Sequence, residues 1–178
     1  TAQTTIQATL SLPSCSVRVD RNTLEDIAYI RKCSYTSKQA ISSLQDRIKI
    51  ARGGVGHDIN LSIQFILNCG AESAGSCHGG YHTGVYELIH EMGYIPFETC
   101  QPYLACSEES EEGFCPQIDT SCSMINTCRT CSGFSDSGGH CVELPYFPNA
   151  TVAEWGEIGG SVTPKEQTHK IKAEIFAR

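Results

Sequence analysis

Gly75-Ser76-Cys77-His78-Gly79-Gly80 is the stretch on which the reading of this chain turns. Five small or polar residues surround a single cysteine, and a helical pattern starts directly after them. Val85, Leu88, Ile89 and Met92 recur at helical spacing, so a helix with that buried stripe is expected from about Tyr81 to Met92, ended by Gly93. Upstream, Leu61-Ser-Ile-Gln-Phe-Ile-Leu67 reads as a short helix with Asn60 as a polar cap before it and Gly70 just after Cys69. Further upstream, Ile41, Leu44, Ile48 and Ala51 mark a longer helix that starts near Lys38 and stops at Gly53-Gly54. Read alone, Gly79-Gly80 is a turn entering a helix.

Downstream the periodicity fades. Residues 94–141 carry Pro96, Pro102, Pro116 and seven cysteines, too little patterned apolar content to hold themselves, so disulfides are expected to brace them. Val142 to Phe147 and Thr151 to Trp155 are expected as short strands. Thr163-Pro164-Lys165-Glu166 is a capping-box start with proline in the first helical position, so a last helix should run towards Arg178.

The chain has 178 residues, enough for one domain, and 40% hydrophobic residues, enough for a packed core. Its net charge is −7 and it has no basic stripe, which argues against nucleic acid as a partner. No apolar run reaches the roughly 20 residues of a membrane span. With Thr1 first and no signal-peptide pattern, the chain is expected to be a mature form or a fragment. Eleven cysteines point to an oxidising compartment: lysosomal, vacuolar or extracellular. An odd count leaves at least one thiol without a partner in the chain. A zinc cluster of Cys128, Cys131, Cys141 and His140 is the competing reading of the Cys128-x-x-Cys131 pair. His78 and His82 are four apart but lack a third ligand, so no metal and no cofactor is expected. Asn149-Ala150-Thr151 is a glycosylation sequon. Asn60-Leu61-Ser62 is another, with a helix-capping role as its better reading.

Three segments in order (Leu61 to Gln64 with Cys69; Gly75 to Gly80; and Gly93-Tyr94-Ile95-Pro96 with Cys100-Gln101-Pro102-Tyr103) resemble the helical domain of papain-like cysteine peptidases. Cys128-Arg-Thr-Cys131, Cys141, Asn149-Ala-Thr151 and Lys172 to Arg178 are similar to the cathepsin X branch of that family, as is Ser43 to Ile50. The resemblance covers roughly residues 43–178. It implies a mainly helical α+β fold: a disulfide-rich left (helical) domain over 38–178 with a Cys-rich loop region at 94–141, the barrel-like second domain missing, and an unmatched segment at 1–37. It also implies that Gly79, Gly80 and Tyr81 form a wall along which an extended peptide or protein substrate pairs as a strand. The implied disulfides are Cys100–Cys128, Cys131–Cys141, Cys33–Cys77, Cys69 with Cys106 or Cys115, and a local Cys115–Cys122 loop, leaving Cys15 over.

Catalysis in that family needs a thiolate at a helix N-terminus and an imidazole from the second domain. Counting back eleven residues from Asp46 places the family's cysteine on Tyr35, within Arg31-Lys-Cys-Ser-Tyr-Thr-Ser37. One cysteine stands there instead of two, without a neighbouring tryptophan. No catalytic residue is therefore assigned, and Cys33 is read as a disulfide cysteine. The expectation is a partial cysteine-type carboxypeptidase, inactive as this chain alone. The alternative is a non-catalytic structural or binding subunit whose partner covers the face left by the missing domain. A disulfide-rich module unrelated to proteolysis is a third reading, which the ordered motifs oppose.

Overall fold

The computed structural model describes residues 35–132, 139–159 and 162–177. Cys15, Cys33 and most of the 1–37 segment lie outside these residues. Helix α1 spans Tyr35–Ala51 and buries Ser37, Ala40, Ile41, Leu44 and Ile48, the repeated three- and four-residue steps of one helix face. Ala51, expected on that stripe, is exposed, and Ala40 is buried in its place. Helix α2 spans Ile63–Cys69. Its cap is Ser62 rather than Asn60: the Ser62 hydroxyl accepts the Phe65 N–H at 3.1 Å and donates to the Gln101 carbonyl at 2.8 Å. Helix α3 spans His82–Met92. Tyr86 is buried in it, whereas Met92 is exposed, contrary to the expected stripe. Tyr86 reaches α1, where its hydroxyl donates to the Ala40 carbonyl at 2.9 Å. Burial pushes the Tyr86 phenol above its ordinary pKa of 10.0. Gly84 lets α3 approach the preceding loop, because a Cβ there would lie 1.9 Å from the Ser73 carbonyl oxygen.

The three helices meet in one core containing Ile41, Leu44, Phe65, Ile66, Val85 and Ile89. Full burial of such side chains is worth about 1.5–3 kcal/mol each. Strands β1 (Gly75–Ser76) and β2 (Gly79–Gly80) form a hairpin between α2 and α3. β3 (Ile95–Pro96) pairs antiparallel with β6 (Asn149–Ala150), in the register Ile95↔Ala150 and Pro96↔Asn149. On its other side the same segment holds the start of α2: Leu61 bridges Phe97, and the Ser62 N–H donates to the Pro96 carbonyl at 2.9 Å. β4 (Arg129–Ser132) pairs with β5 (His140–Glu143), with Cys131 opposite Cys141. The strand expected over Val142 to Phe147 therefore starts earlier and ends at Glu143, short of Pro145, which has no N–H for a ladder. Thr151 to Trp155 is not a strand. Its Val152 enters the core, and Trp155 packs on His90 with ring centroids 5.0 Å apart.

The loop region after β3 contains a 3-10 turn at Cys115–Gln117 and a short helix α4 at Met124–Thr127. Four disulfides brace it: Cys69–Cys122, Cys100–Cys128, Cys106–Cys115 and Cys131–Cys141. The second and fourth are the pairs implied by the family resemblance. The expected Cys69–Cys106 or Cys69–Cys115 tie and the local Cys115–Cys122 loop are replaced by the other two. The cause lies one helical turn apart on α2. Gln64 draws in residues 104–106, its Nε2 donating to the Cys106 carbonyl at 2.7 Å and its Oε1 accepting the Leu104 N–H at 2.9 Å. Asn68 instead donates to the Asn126 carbonyl at 3.3 Å, which brings the 121–127 segment over the end of α2, where Cys69 lies.

Helix α5 spans Pro164–Ala177. Its capping box forms as expected: the Thr163 N–H donates to Glu166 Oε2 at 2.8 Å, and the Glu166 N–H donates back to the Thr163 hydroxyl at 3.4 Å. The Thr163 N–H and hydroxyl hold the Glu166 carboxyl below its ordinary pKa of 4.5. None of the residues of α5 is buried, and Phe176 is 95% exposed. Arg47 of α1 reaches Glu174 at 3.5 Å. No described helix is long and apolar enough to cross a membrane.

Candidate peptide-binding site

The β1–β2 hairpin turns through Cys77 and His78, with Ser76 opposite Gly79 and Gly75 opposite Gly80. The glycines there are a steric requirement. A Cβ on Gly75 would lie 2.1 Å from the Gly79 carbonyl oxygen, and one on Gly80 would lie 1.8 Å from that of Ala74. Gly79 differs: its φ is +140° and a Cβ would meet nothing within 4 Å, so the space beside its Cα is open. Tyr81 follows, 75% exposed, with its N–H donating to the Ala74 carbonyl at 3.1 Å. The three residues expected to line a wall are thus contiguous, and Gly79 and Tyr81 are exposed. Helix α1 packs against β2.

The hairpin is anchored from behind by Ser107 and Glu109, which sequence reasoning did not single out. Ser76 Oγ donates to Glu109 Oε2 at 2.8 Å and accepts the His78 N–H at 3.2 Å. The Cys77 N–H donates to Ser107 Oγ at 3.3 Å. Cys77 is also disulfide-bonded, and Cys33, its expected partner, lies outside the described residues. Cys106–Cys115 closes the loop that carries Ser107 and Glu109. Buried Ser and Gln side chains of this kind have no periodic signature: Gln64 stood in a family-like segment without an assigned role, and Ser107 had no cue of its own.

The nucleophile inventory is short. All nine described cysteines (Cys69, Cys77, Cys100, Cys106, Cys115, Cys122, Cys128, Cys131 and Cys141) are disulfide-bonded, and a disulfide sulfur is neither a thiolate nor a zinc ligand. Cys128 and Cys131, the sulfurs of the competing zinc reading, pair with Cys100 and Cys141. Among the described residues no group of three His, Cys, Asp or Glu side chains could hold a metal ion. His82 lies 3.6 Å from Glu157, and His90 Nδ1 lies 3.0 Å from the Val152 carbonyl, so each has a structural neighbour. Tyr35 stands at the start of α1 with more than half its surface exposed, and Thr36 follows it. Of the two sequons, Ser62 is fully buried and uses its hydroxyl in the α2 cap. Asn149 is exposed on β6, with its Nδ2 donating to the Phe147 carbonyl at 3.1 Å.

Comparison with known proteins gives the family. The family model described as papain family cysteine protease matches residues 14–143, beginning inside the segment for which motif reading found no counterpart. The chain is 34% identical over 135 residues to the cathepsin Z of Onchocerca volvulus, covering 76% of this chain and 35% of that protein. It therefore spans about a third of the length of the curated relative it matches. The hairpin, the disulfide-braced loops and both matches lead to one statement: the chain belongs to the papain family of cysteine proteases and is similar to cathepsin Z.

Proposed function

We propose that this chain supplies the peptide-gripping half of a cathepsin Z-like cysteine carboxypeptidase and does not cut peptides by itself. The observation that carries the reading is the combination of an exposed Gly79, with open space beside its Cα, and exposed Tyr81 with a set of described cysteines that is entirely disulfide-bonded. An extended peptide can pair with bare backbone as an added strand. Cleavage further requires a thiolate activated by an imidazole, with donors placed for the oxyanion. Tyr35 and Thr36 occupy the start of the helix where that thiolate belongs, and a phenol or threonine hydroxyl without a paired base is a poor nucleophile at acidic pH. In the full-length family architecture a second, barrel-like domain supplies the imidazole. Cys33 is read as the disulfide partner of Cys77, and Asn149 as carrying an N-linked glycan. A disulfide-braced, glycosylated chain of this family belongs in a lysosome, a vacuole or the extracellular space.

The second reading, a catalytically silent binding subunit, is favoured by the same Tyr35 and by the exposed Ile175 and Phe176 of α5, which suit a covering partner. One experiment tests the main claim. The purified polypeptide is incubated near pH 5 with a peptide bearing a free C-terminus, followed by mass spectrometry for trimming and by amide NMR for binding. Amide shifts confined to Gly79–Tyr81 and their neighbours, with the peptide intact, are expected. Stepwise loss of C-terminal residues, or rapid labelling of Cys33 by a thiol-directed peptidyl reagent, would refute the silent reading. Unchanged amides at millimolar peptide would refute the wall.

A further inference from the structure

A cavity of about 340 Å³ opens beside β6, lined by Tyr94, Met124, Pro145, Tyr146, Phe147 and Asn149. That volume lies within the roughly 300–1,000 Å³ of small-molecule sites. Its walls are aromatic and apolar, and no charged side chain lines it. Tyr94 forms the inner wall, tilted against Phe65 of the core at 5.5 Å and edge-on to Phe147 at 5.4 Å between ring centroids. Tyr146 forms the outer edge and is 91% exposed. Asn149, at the rim, is the acceptor of the sequon Asn149-Ala150-Thr151.

Resting on the reading that Asn149 is glycosylated, we propose that this cavity seats the first N-acetylglucosamine of the Asn149 glycan. Transfer from a polyprenyl-pyrophosphate-linked oligosaccharide forms the bond from Asn149 Nδ2 to C1 of the sugar. It breaks the bond from C1 to the pyrophosphate oxygen and takes one proton from the amide. The nitrogen keeps its other hydrogen, which can go on donating to the Phe147 carbonyl now 3.1 Å away. That bond ties the attachment nitrogen to a residue that itself lines the cavity, so C1 starts at the cavity mouth. A pyranose ring presents a face of C–H groups, and aromatic rings with a negative face attract it. Tyr94 and Tyr146 add hydroxyls for the sugar's polar edge. A neutral ligand with one apolar face, tethered at the rim, matches a cavity without charge. The sugar would then cover aromatic surface that is otherwise left to water beside β3–β6 and so act as part of the fold.

The test uses this polypeptide, secreted from eukaryotic cells fed N-acetylglucosamine labelled with 13C in the acetyl methyl group. With glycan processing held at the high-mannose stage by a mannosidase inhibitor, endoglycosidase H trims each glycan to its first sugar, and the Asn149→Gln variant assigns the Asn149 signal. The expected result is an acetyl methyl resonance shifted upfield by ring currents, which returns to the free-sugar position in Tyr146→Ala. Release of the untrimmed glycan by peptide N-glycosidase F under native conditions should be about tenfold faster in Tyr146→Ala, corresponding to about 1.4 kcal/mol. Tyr146 is almost fully exposed, so its removal leaves the core intact. A free-sugar resonance in the parent protein, together with equal release rates, overturns the seating while the glycan itself stands. Absence of any sugar on Asn149 overturns both readings.

Discussion

Replacing Gln64 with leucine should destabilise the protein far more than a conservative change of volume would suggest. Gln64 is fully buried, and its amide holds three groups at once: the Leu104 N–H at 2.9 Å, the Cys106 carbonyl at 2.7 Å and Asn68 Oδ1 at 2.9 Å. Between the first two sits Ala105, with φ of 59°, the one described non-glycine residue with positive φ. Gln64 thus clamps both neighbours of a strained residue, where strain costs about 1–3 kcal/mol. Leucine leaves three polar groups without their partner, and each unsatisfied buried group costs roughly 1–3 kcal/mol. Release of the Ala105 strain offsets part of that sum. A net loss of about 3 kcal/mol remains, which for a chain of this size lowers Tm by roughly 6–12 °C. The assay is calorimetric unfolding of parent and variant with all disulfides oxidised. Gln64→Glu gives a sharper signature. Its carboxylate faces two acceptors at neutral pH, so it should be at least as unstable as the leucine variant there. It should recover part of the loss on acidification, because the protonated acid regains a donor. A Tm shift below about 2 °C for Gln64→Leu, or no acid recovery for Gln64→Glu, would refute the clamp.

Two further outcomes follow from the same structure. Non-reducing peptide mapping should recover Cys69 linked to Cys122 and Cys106 linked to Cys115; a Cys69–Cys106 peptide would show that Gln64 and Asn68 do not sort the two loop limbs as described. Burial raises the Tyr86 pKa above 10.0 in the folded state, so the unfolded chain releases that proton first and stability falls as pH rises from about 10 towards the folded value. Tyr86→Phe should lose about 1 kcal/mol at pH 7, from the bond to the Ala40 carbonyl, and show a flatter alkaline limb in a Tm–pH series; an unchanged limb would contradict the burial.

The helices were legible because their apolar positions recur with the helical period. Ile41, Leu44 and Ile48 were placed correctly for that reason, as were Val85, Leu88 and Ile89. The errors fall at the edges of that signal. Met92 stands in the last turn, where the helix emerges from the core, and Asn60 lost the capping role to Ser62 because β3 pairs as far as Leu61 and Ser62 before the helix begins. The disulfide partners were not legible from spacing, since the choice between Cys106 and Cys122 for Cys69 depends on which carbonyl each α2 amide reaches. In the candidate site the turn at Gly79 and Gly80 was legible from the motif, while a peptide wall of Gly79, Gly80 and Tyr81 was named only through the family resemblance and is a proposal. The Ser76–Glu109 and Cys77–Ser107 ties behind them join residues some 30 positions apart, which no local pattern encodes.

The Cys69–Cys122 and Cys100–Cys128 bridges interlock: the second begins inside the span of the first and ends beyond it. A single scission of the backbone anywhere from residue 70 to residue 127 therefore releases nothing, because at least one bridge still straddles the break. A nick anywhere in that span becomes a silent scar that shows on a gel only after a reductant is added.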